Sequence, residues 1–180
     1  TMGESYSWSI ARYFKDRTEF RTVLQLITEP YKDNFFVTEK YAEPFKLLTE
    51  RNPNNSFAHL LYAQALLKQQ RAGKLAFKDY ELMQNAIIKA KELDPENSAV
   101  YPILASIGAW TMGMNIVQAQ EYNLRGVELG PDNFLTLFLA GSNFDVGKIS
   151  DAISYLLRAK QIAPYGPNEV DPQLIRAYLY

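Results

Sequence analysis

Apolar side chains in this chain recur at steps of three and four, and prolines interrupt the pattern at regular places. From Ile149 the stripe runs through Ala152, Ile153, Leu156, Ala159 and Ile162. Residues 133–146 carry Leu135, Leu137, Phe138, Ala140, Gly141 and Phe144. A period near 3.6 predicts helices, where strands would alternate strictly. Gly147 separates these two stripes, and two helical stripes lie between each pair of prolines. Asp16 to Thr28 predicts another helix, with Asp16-x-x-Glu19 as a capping box. Phe36 to Glu50 predicts its partner, with Tyr41, Phe45 and Leu48 on one face and Pro44 kinking or delaying it. Residues 6–15 read as an extra N-terminal helix, and residues 172–179 as a capping helix or the first helix of a further unit.

The interruptions share one grammar. They are Arg51-Asn52-Pro53-Asn54-Asn55, Leu93-Asp94-Pro95-Glu96-Asn97, Leu129-Gly130-Pro131-Asp132-Asn133 and Ile162-Ala163-Pro164-Tyr165-Gly166. Proline cannot continue a helix, and it pushes the preceding residue out of the helical region. Asn55, Asn97 and Asn133 then stand where an N-cap would satisfy the free amides of the next helix. Small residues recur where paired helices must cross closely: Ala140, Gly141, Ala152 and Ala159. One helix pair cannot bury its apolar face alone, so neighbouring pairs are expected to stack.

This spacing resembles the tetratricopeptide repeat, whose unit is a helix pair of about 34 residues. Residues 134–164 carry the resemblance best, through Leu137, Ala140, Gly141, Phe144, Ala152, Leu156, Ala159 and Pro164. Residues 98–131 follow through Tyr101, Leu104, Ala105 and Pro131. They depart at Gly108, where a large aromatic is expected, and Ala119 and Gly126 stand in for the later small residues, displaced by two. Residues 56–95 match through Ala63, Ile87, Ala90 and Pro95, with an insertion near Lys68 to Lys78. The resemblance implies an all-α, right-handed superhelical solenoid of helix hairpins. Three units are expected, at 52–95, 96–131 and 132–164, between N-terminal helices with a degenerate unit (1–51) and a capping or truncated helix (165–180).

Composition removes several kinds of chemistry. The chain has no cysteine, which excludes disulfides, cysteine ligands and a cysteine nucleophile. A cysteine-free chain is stable in cytosol and periplasm alike, so the compartment stays open, with the cytoplasm the preferred reading. Net charge is −1, and residues 1–51 balance eight basic against eight acidic side chains. Nothing here predicts a nucleic-acid footprint. The longest nearly apolar run, Tyr101 to Met114, is too short to span a bilayer and reads as a buried helix. No basic flank with an apolar core opens the chain, so no signal peptide is expected. Thr1 before Met2 reads as an expression remnant, and the apolar end Leu174 to Tyr180 as a cut from a longer protein.

The search for catalytic or metal-binding groups yields none, and no enzyme activity or cofactor is expected. His59 is the single histidine and has no second histidine or cysteine to share a metal. Asp94-Pro95-Glu96-Asn97 is an inter-repeat turn, since its counterparts recur without the charges. No Gly-rich phosphate loop follows a strand pattern, and Gly141-Ser142-Asn143 has no strand before it, so it is no nucleophile elbow. The basic stretch Lys68 to Lys78 reads as a solvated loop whose Lys stems cover apolar surface, rather than as a contact for an acidic partner.

The resemblance assigns the first helix of each pair to a concave groove. On that register Leu60, Gln64 and Leu67 line it in the first unit, Pro102, Ser106 and Trp110 in the second, and Phe138, Ser142 and Asp145 in the third. Plain core packing is the competing reading of each. Family members that grip a chaperone C-terminus line the groove with Lys, Asn and Arg; here Leu60, Leu61, Pro102, Ile103, Phe138 and Leu139 stand there, so no carboxylate clamp is expected. An apolar groove predicts a partner peptide or helix, with no nucleic acid or membrane bound by this segment. The alternative is a sensor or oligomerisation segment of a larger bacterial regulator or signalling protein, self-associating through the C-terminal helix or taking a small apolar ligand. It rests on a looser similarity to repeat regions of bacterial winged-helix activators and adenylate cyclases, carried by Arg125 to Asn133 and Ile153 to Pro167.

Overall fold

A computed structural model describes residues 41–143, 148–163 and 170–179. The helices predicted at 6–15 and 16–28, the groove residue Asp145 and the Pro164 turn lie outside the described residues. Every regular element among the described residues is helical. The helices are α1 (Ala42–Arg51), α2 (Ser56–Arg71), α3 (Tyr80–Leu93), α4 (Val100–Thr111), α5 (Ile116–Leu129), α6 (Phe134–Ser142), α7 (Ile149–Ile162) and α8 (Val170–Leu179). A short 3₁₀ turn, Phe77–Asp79, precedes α3. No helix among the described residues is long and apolar enough to cross a membrane. The chain divides into two compact units, Thr1–Leu93 and Asp94–Tyr180.

In the first unit α1 packs on α2 and α2 on α3. Pro44 falls in the first turn of α1, where its missing N–H is one the helix leaves unbonded anyway. Asn55 caps α2, its side chain accepting from the Ala58 amide at 3.1 Å. The core comprises Phe45 and Leu48 of α1, Leu60 and Leu66 of α2, and Met83 and Ile87 of α3. Ser56 Oγ donates to the Ala90 carbonyl at 2.8 Å, a buried polar tie between α2 and α3. The insertion between those helices turns at Gly73, whose φ of 68° lies in the left-handed region that glycine adopts without steric cost. Phe77 there is exposed and packs against Tyr80, with ring centroids 5.1 Å apart.

In the second unit each helix packs on the next, α4 on α5 through to α7 on α8. Alternate helices also touch: α4 packs on α6, and α6 on α8. The small residues sit where the crossings are tightest. A Cβ on Gly141 would lie 2.6 Å from Leu156 Cγ and 3.0 Å from the Ala152 carbonyl oxygen, so α6 and α7 approach closely there. A Cβ on Gly126 would lie 2.8 Å from Pro102 Cδ and 2.9 Å from the Ser98 carbonyl, which sets the α4–α5 crossing. Leu137 of α6, Ile107 of α4 and Leu156 of α7 are fully buried. Lys160 of α7 donates to Asp171 in the first turn of α8.

Two local expectations are corrected. Asn133 caps α6 as read, accepting from the Thr136 amide at 3.1 Å, but Asn97 does not cap α4. That helix starts two residues later, from Ala99, and the turn is closed instead by the Val100 amide donating to the Asn97 carbonyl at 3.1 Å. The Asp94 side chain takes the Glu96 amide, and Tyr101 Oη donates to the Pro95 carbonyl at 2.7 Å, so this turn is held by other groups. At Gly108 the expected aromatic has no counterpart in place because Met114 fills the space. Its side chain folds onto Gly108, and its amide donates to the Gly108 carbonyl at 3.0 Å.

Candidate functional site

The eight described residues of the nine assigned to a groove fall into three groups. Leu60, Gln64, Leu67, Pro102, Ser106 and Phe138 are buried, so the folded chain leaves them little surface to offer a partner. The physical reason lies in their helices. Helices α4 and α6 are apolar on nearly every face, and such a helix is covered all round, while α2 is buried from Ser56 to Leu67 except at the half-buried His59 and Tyr62. Phe138 stacks on Phe134 with ring centroids 6.2 Å apart, and Ser106 Oγ donates to Asn143 Oδ1 at 3.1 Å. Ser142 is half-buried, its hydroxyl donating to the Phe138 carbonyl at 2.8 Å. Trp110 is the exposed one, with 56% of its surface accessible.

Trp110 has apolar company. Met112, Ile116 and Val117, at the turn joining α4 to α5, are also exposed, Ile116 at 54%. Gly113, with φ 67°, makes that turn. No charged residue or histidine occurs from Asn97 to Gln120. This charge gap is the sequence signal that would have pointed to the turn; the groove register passed over Met112, Ile116 and Val117. Scattered single apolar residues are normal on a surface, whereas contiguous ones mark contact sites.

A cleft of about 230 Å³ opens between α5, α6 and α7. Val117 and Leu124 of α5 and Tyr155 of α7 form its apolar walls, with Ala140 and Ala152 deeper in. Glu121, Lys148 and Asp151 stand at its exposed edge. Its floor holds two buried amides, Asn123 and Asn143. Asn143 Nδ2 donates to the Pro102 carbonyl at 2.7 Å and to Asn123 Oδ1 at 3.1 Å, while its Oδ1 accepts from Ser106. One residue at the end of α6 thereby ties α4 and α5 together.

The Tyr155 phenol in this cleft has its pKa raised above the ordinary tyrosine value, first by burial and then by the carboxylates of Asp151 and Glu128. A raised folded-state value means the contribution to stability is complete below the ordinary tyrosine pKa and is lost as pH rises through the higher one. Asp151→Asn should lower the Tyr155 pKa partway, since burial, the larger cause, remains. Carbon-13 NMR titration of the ring would measure this. A full return to the ordinary value would show that the carboxylate, not burial, dominates.

His59 Nε2 lies 3.0 Å from the Pro53 carbonyl, so the single histidine is engaged with the turn that precedes its own helix. Among the described residues no three His, Asp or Glu side chains gather as metal ligands would. In comparisons with known proteins, no family model, curated protein or solved structure matches the chain.

Proposed function

We propose that the chain is built of tetratricopeptide-type helix hairpins and serves as a non-catalytic interaction module for a partner peptide or helix. Support for the repeat reading comes from the second unit, where alternate helices α4, α6 and α8 pack on one another as stacked hairpins require. The shared Pro–x–Asn turns, with Asn55 and Asn133 in the same capping role, support it further. The observation that carries the binding reading is the exposure of three large apolar side chains, Trp110, Met112 and Ile116, within seven residues at the α4–α5 turn. Docking there buries apolar surface, with the charged Glu121 and Arg125 standing beside Met112 at its edge, and tryptophan is among the residue types enriched at interface anchor points. In this reading the partner's apolar face covers the α4–α5 turn rather than the packed helices α2, α4 and α6.

Trp110→Glu combined with Ile116→Glu tests it. Both side chains are more than half exposed, so the helical circular dichroism and melting temperature should stay near those of the wild type. Proteins cross-linked in lysate through a photoreactive group at Met112 should be lost from the double variant. An unchanged set of cross-linked partners would overturn the assignment of the turn.

A second reading is favoured by α8. Ile175, Tyr178 and Leu179 lie at helical spacing and are exposed, Leu179 at 82%. An apolar helix face of this kind suits self-association, as in an oligomerisation segment of a larger bacterial regulator or signalling protein. Sedimentation velocity should then show a dimer that Ile175→Lys with Tyr178→Lys converts to a monomer. A wild-type chain that is monomeric at high concentration would remove this reading.

A further inference from the structure

We propose that Met112 is an oxidation site, at which a peroxide converts the thioether to its sulfoxide and turns the apolar cluster at the α4–α5 turn polar. This control rests on the docking surface assigned to that turn. Oxidation of sulfur has few places to fall, because the chain has no cysteine and four methionines. Three of these are among the described residues, and the fold treats each differently. Met83 lies in the core of the first unit with no exposed surface. Met114 is half-buried, packed on Ala105 and Ala119 with its side chain folded over Gly108. Met112 is 40% exposed and stands in the chain between the exposed Trp110 and Ile116. Oxidation of a sulfur side chain follows its access to the oxidant, so the fold directs a peroxide to Met112 first.

The step is a two-electron oxygen transfer. A sulfur lone pair attacks one peroxide oxygen, and the O–O bond breaks as the S–O bond forms. With hydrogen peroxide the second oxygen takes the proton from the first and leaves as water, so sulfur is oxidised and the peroxide reduced. The product is a polar side chain with an acceptor oxygen where an apolar one stood. A partner that covers the turn must then desolvate that oxygen, at a cost unless it supplies a donor. The free chain meets the oxygen more readily. Gln118 and Arg125, both with N–H donors, line the same shallow depression as Met112, together with Glu121. Oxidation therefore favours the free chain over the docked one. The hairpin itself keeps its packing, since Met114 and not Met112 is the methionine seated on Gly108. Methionine sulfoxide reductases, one for each sulfoxide epimer, reverse the step.

Limiting hydrogen peroxide on the whole folded chain, followed by peptide mass mapping, reads the site. Met112 should gain one oxygen at least about tenfold faster than Met83, which reacts only when the first unit opens. Met114 should fall between them. Equal rates at Met112 and Met83, with the helical spectrum unchanged, would overturn the proposal. Retention on a phenyl column reads the polarity of the turn without any partner. The oxidised wild type should elute earlier than the reduced one and return after treatment with both reductases. Met112→Leu, given the same peroxide, should not shift, and Met112→Gln should elute early without oxidant. The wild type before and after reduction decides by itself if a variant does not fold. An oxidised Met112 that leaves retention unchanged would overturn the proposal. Docking is then read by lysate cross-linking through a photoreactive group at the exposed Val117, which leaves Met112 in place. Partners should be lost on oxidation and regained on reduction, and partners indifferent to oxidation would overturn the control. If Trp110→Glu with Ile116→Glu does not change the partners of the reduced chain, the docking assignment fails instead, and mass mapping and retention still decide the oxidation site.

Discussion

Replacing Leu156 by alanine is expected to destabilise the second unit by about 2–5 kcal/mol, the range for deleting a fully buried leucine side chain. Leu156 has no exposed surface and sits on α7 directly against Gly141 of α6. The helices meet there through a glycine, so the space left by the leucine is walled by backbone on one side and cannot close by a side-chain shift. Loss of transfer free energy then adds to the cost of a persistent cavity. Urea denaturation measures it as a lower midpoint at unchanged slope. The neighbour Leu157, 42% exposed on the same helix, is the control. Leu157→Ala should stay within about 0.5 kcal/mol of wild type, as surface substitutions do. A Leu156→Ala loss as small as the control would mean that α6 and α7 do not pack in this register.

Asn143→Ala is expected to cost about 2–4 kcal/mol, through polar groups rather than volume. It removes three buried hydrogen bonds at once, to the Pro102 carbonyl, Asn123 and Ser106. Asn123 Oδ1 then keeps no partner among the described residues, and a buried acceptor without a donor forfeits its full desolvation cost. Ser106→Ala removes one bond and should cost less. The double variant should be less destabilising than the sum of the singles, because the shared bond is counted only once. Strict additivity, measured in the same urea series, would show that Ser106 and Asn143 do not interact in solution.

Much of the secondary structure was legible because helices of this kind are written locally. The stripe from Ile149 to Ile162 has the bounds of α7, and the asparagines after Pro53 and Pro131 cap the helices that follow. Asn97 misled because it stands in the same place in the turn, while Asp94 and Tyr101 hold that turn and let the helix start later. Gly108 read as a departure from the repeat because its replacement, Met114, comes from six residues along the chain and reaches it only after the turn forms. The groove register placed side chains on one face of each first helix, but a face is open only if nothing packs on it. Leu60 and Phe138 are covered, and that depends on neighbours the register does not contain.

The chain's own pattern therefore determined that it folds as helices, roughly where they begin and end, and which small residues permit close crossings. Period, proline and capping are properties of a few consecutive residues, so they survive without knowledge of the rest. Tertiary structure alone decided that Asn143, Asn123 and Ser106 meet. Asn123 and Ser106 lie 20 and 37 residues from Asn143 along the chain, and no local pattern brings them together. It also decided that a cleft lies over them between α5 and α7, and that Trp110 keeps its surface while Phe138 loses it. Exposure and convergence are sums over all neighbours, and those sums exist only once the helices have packed.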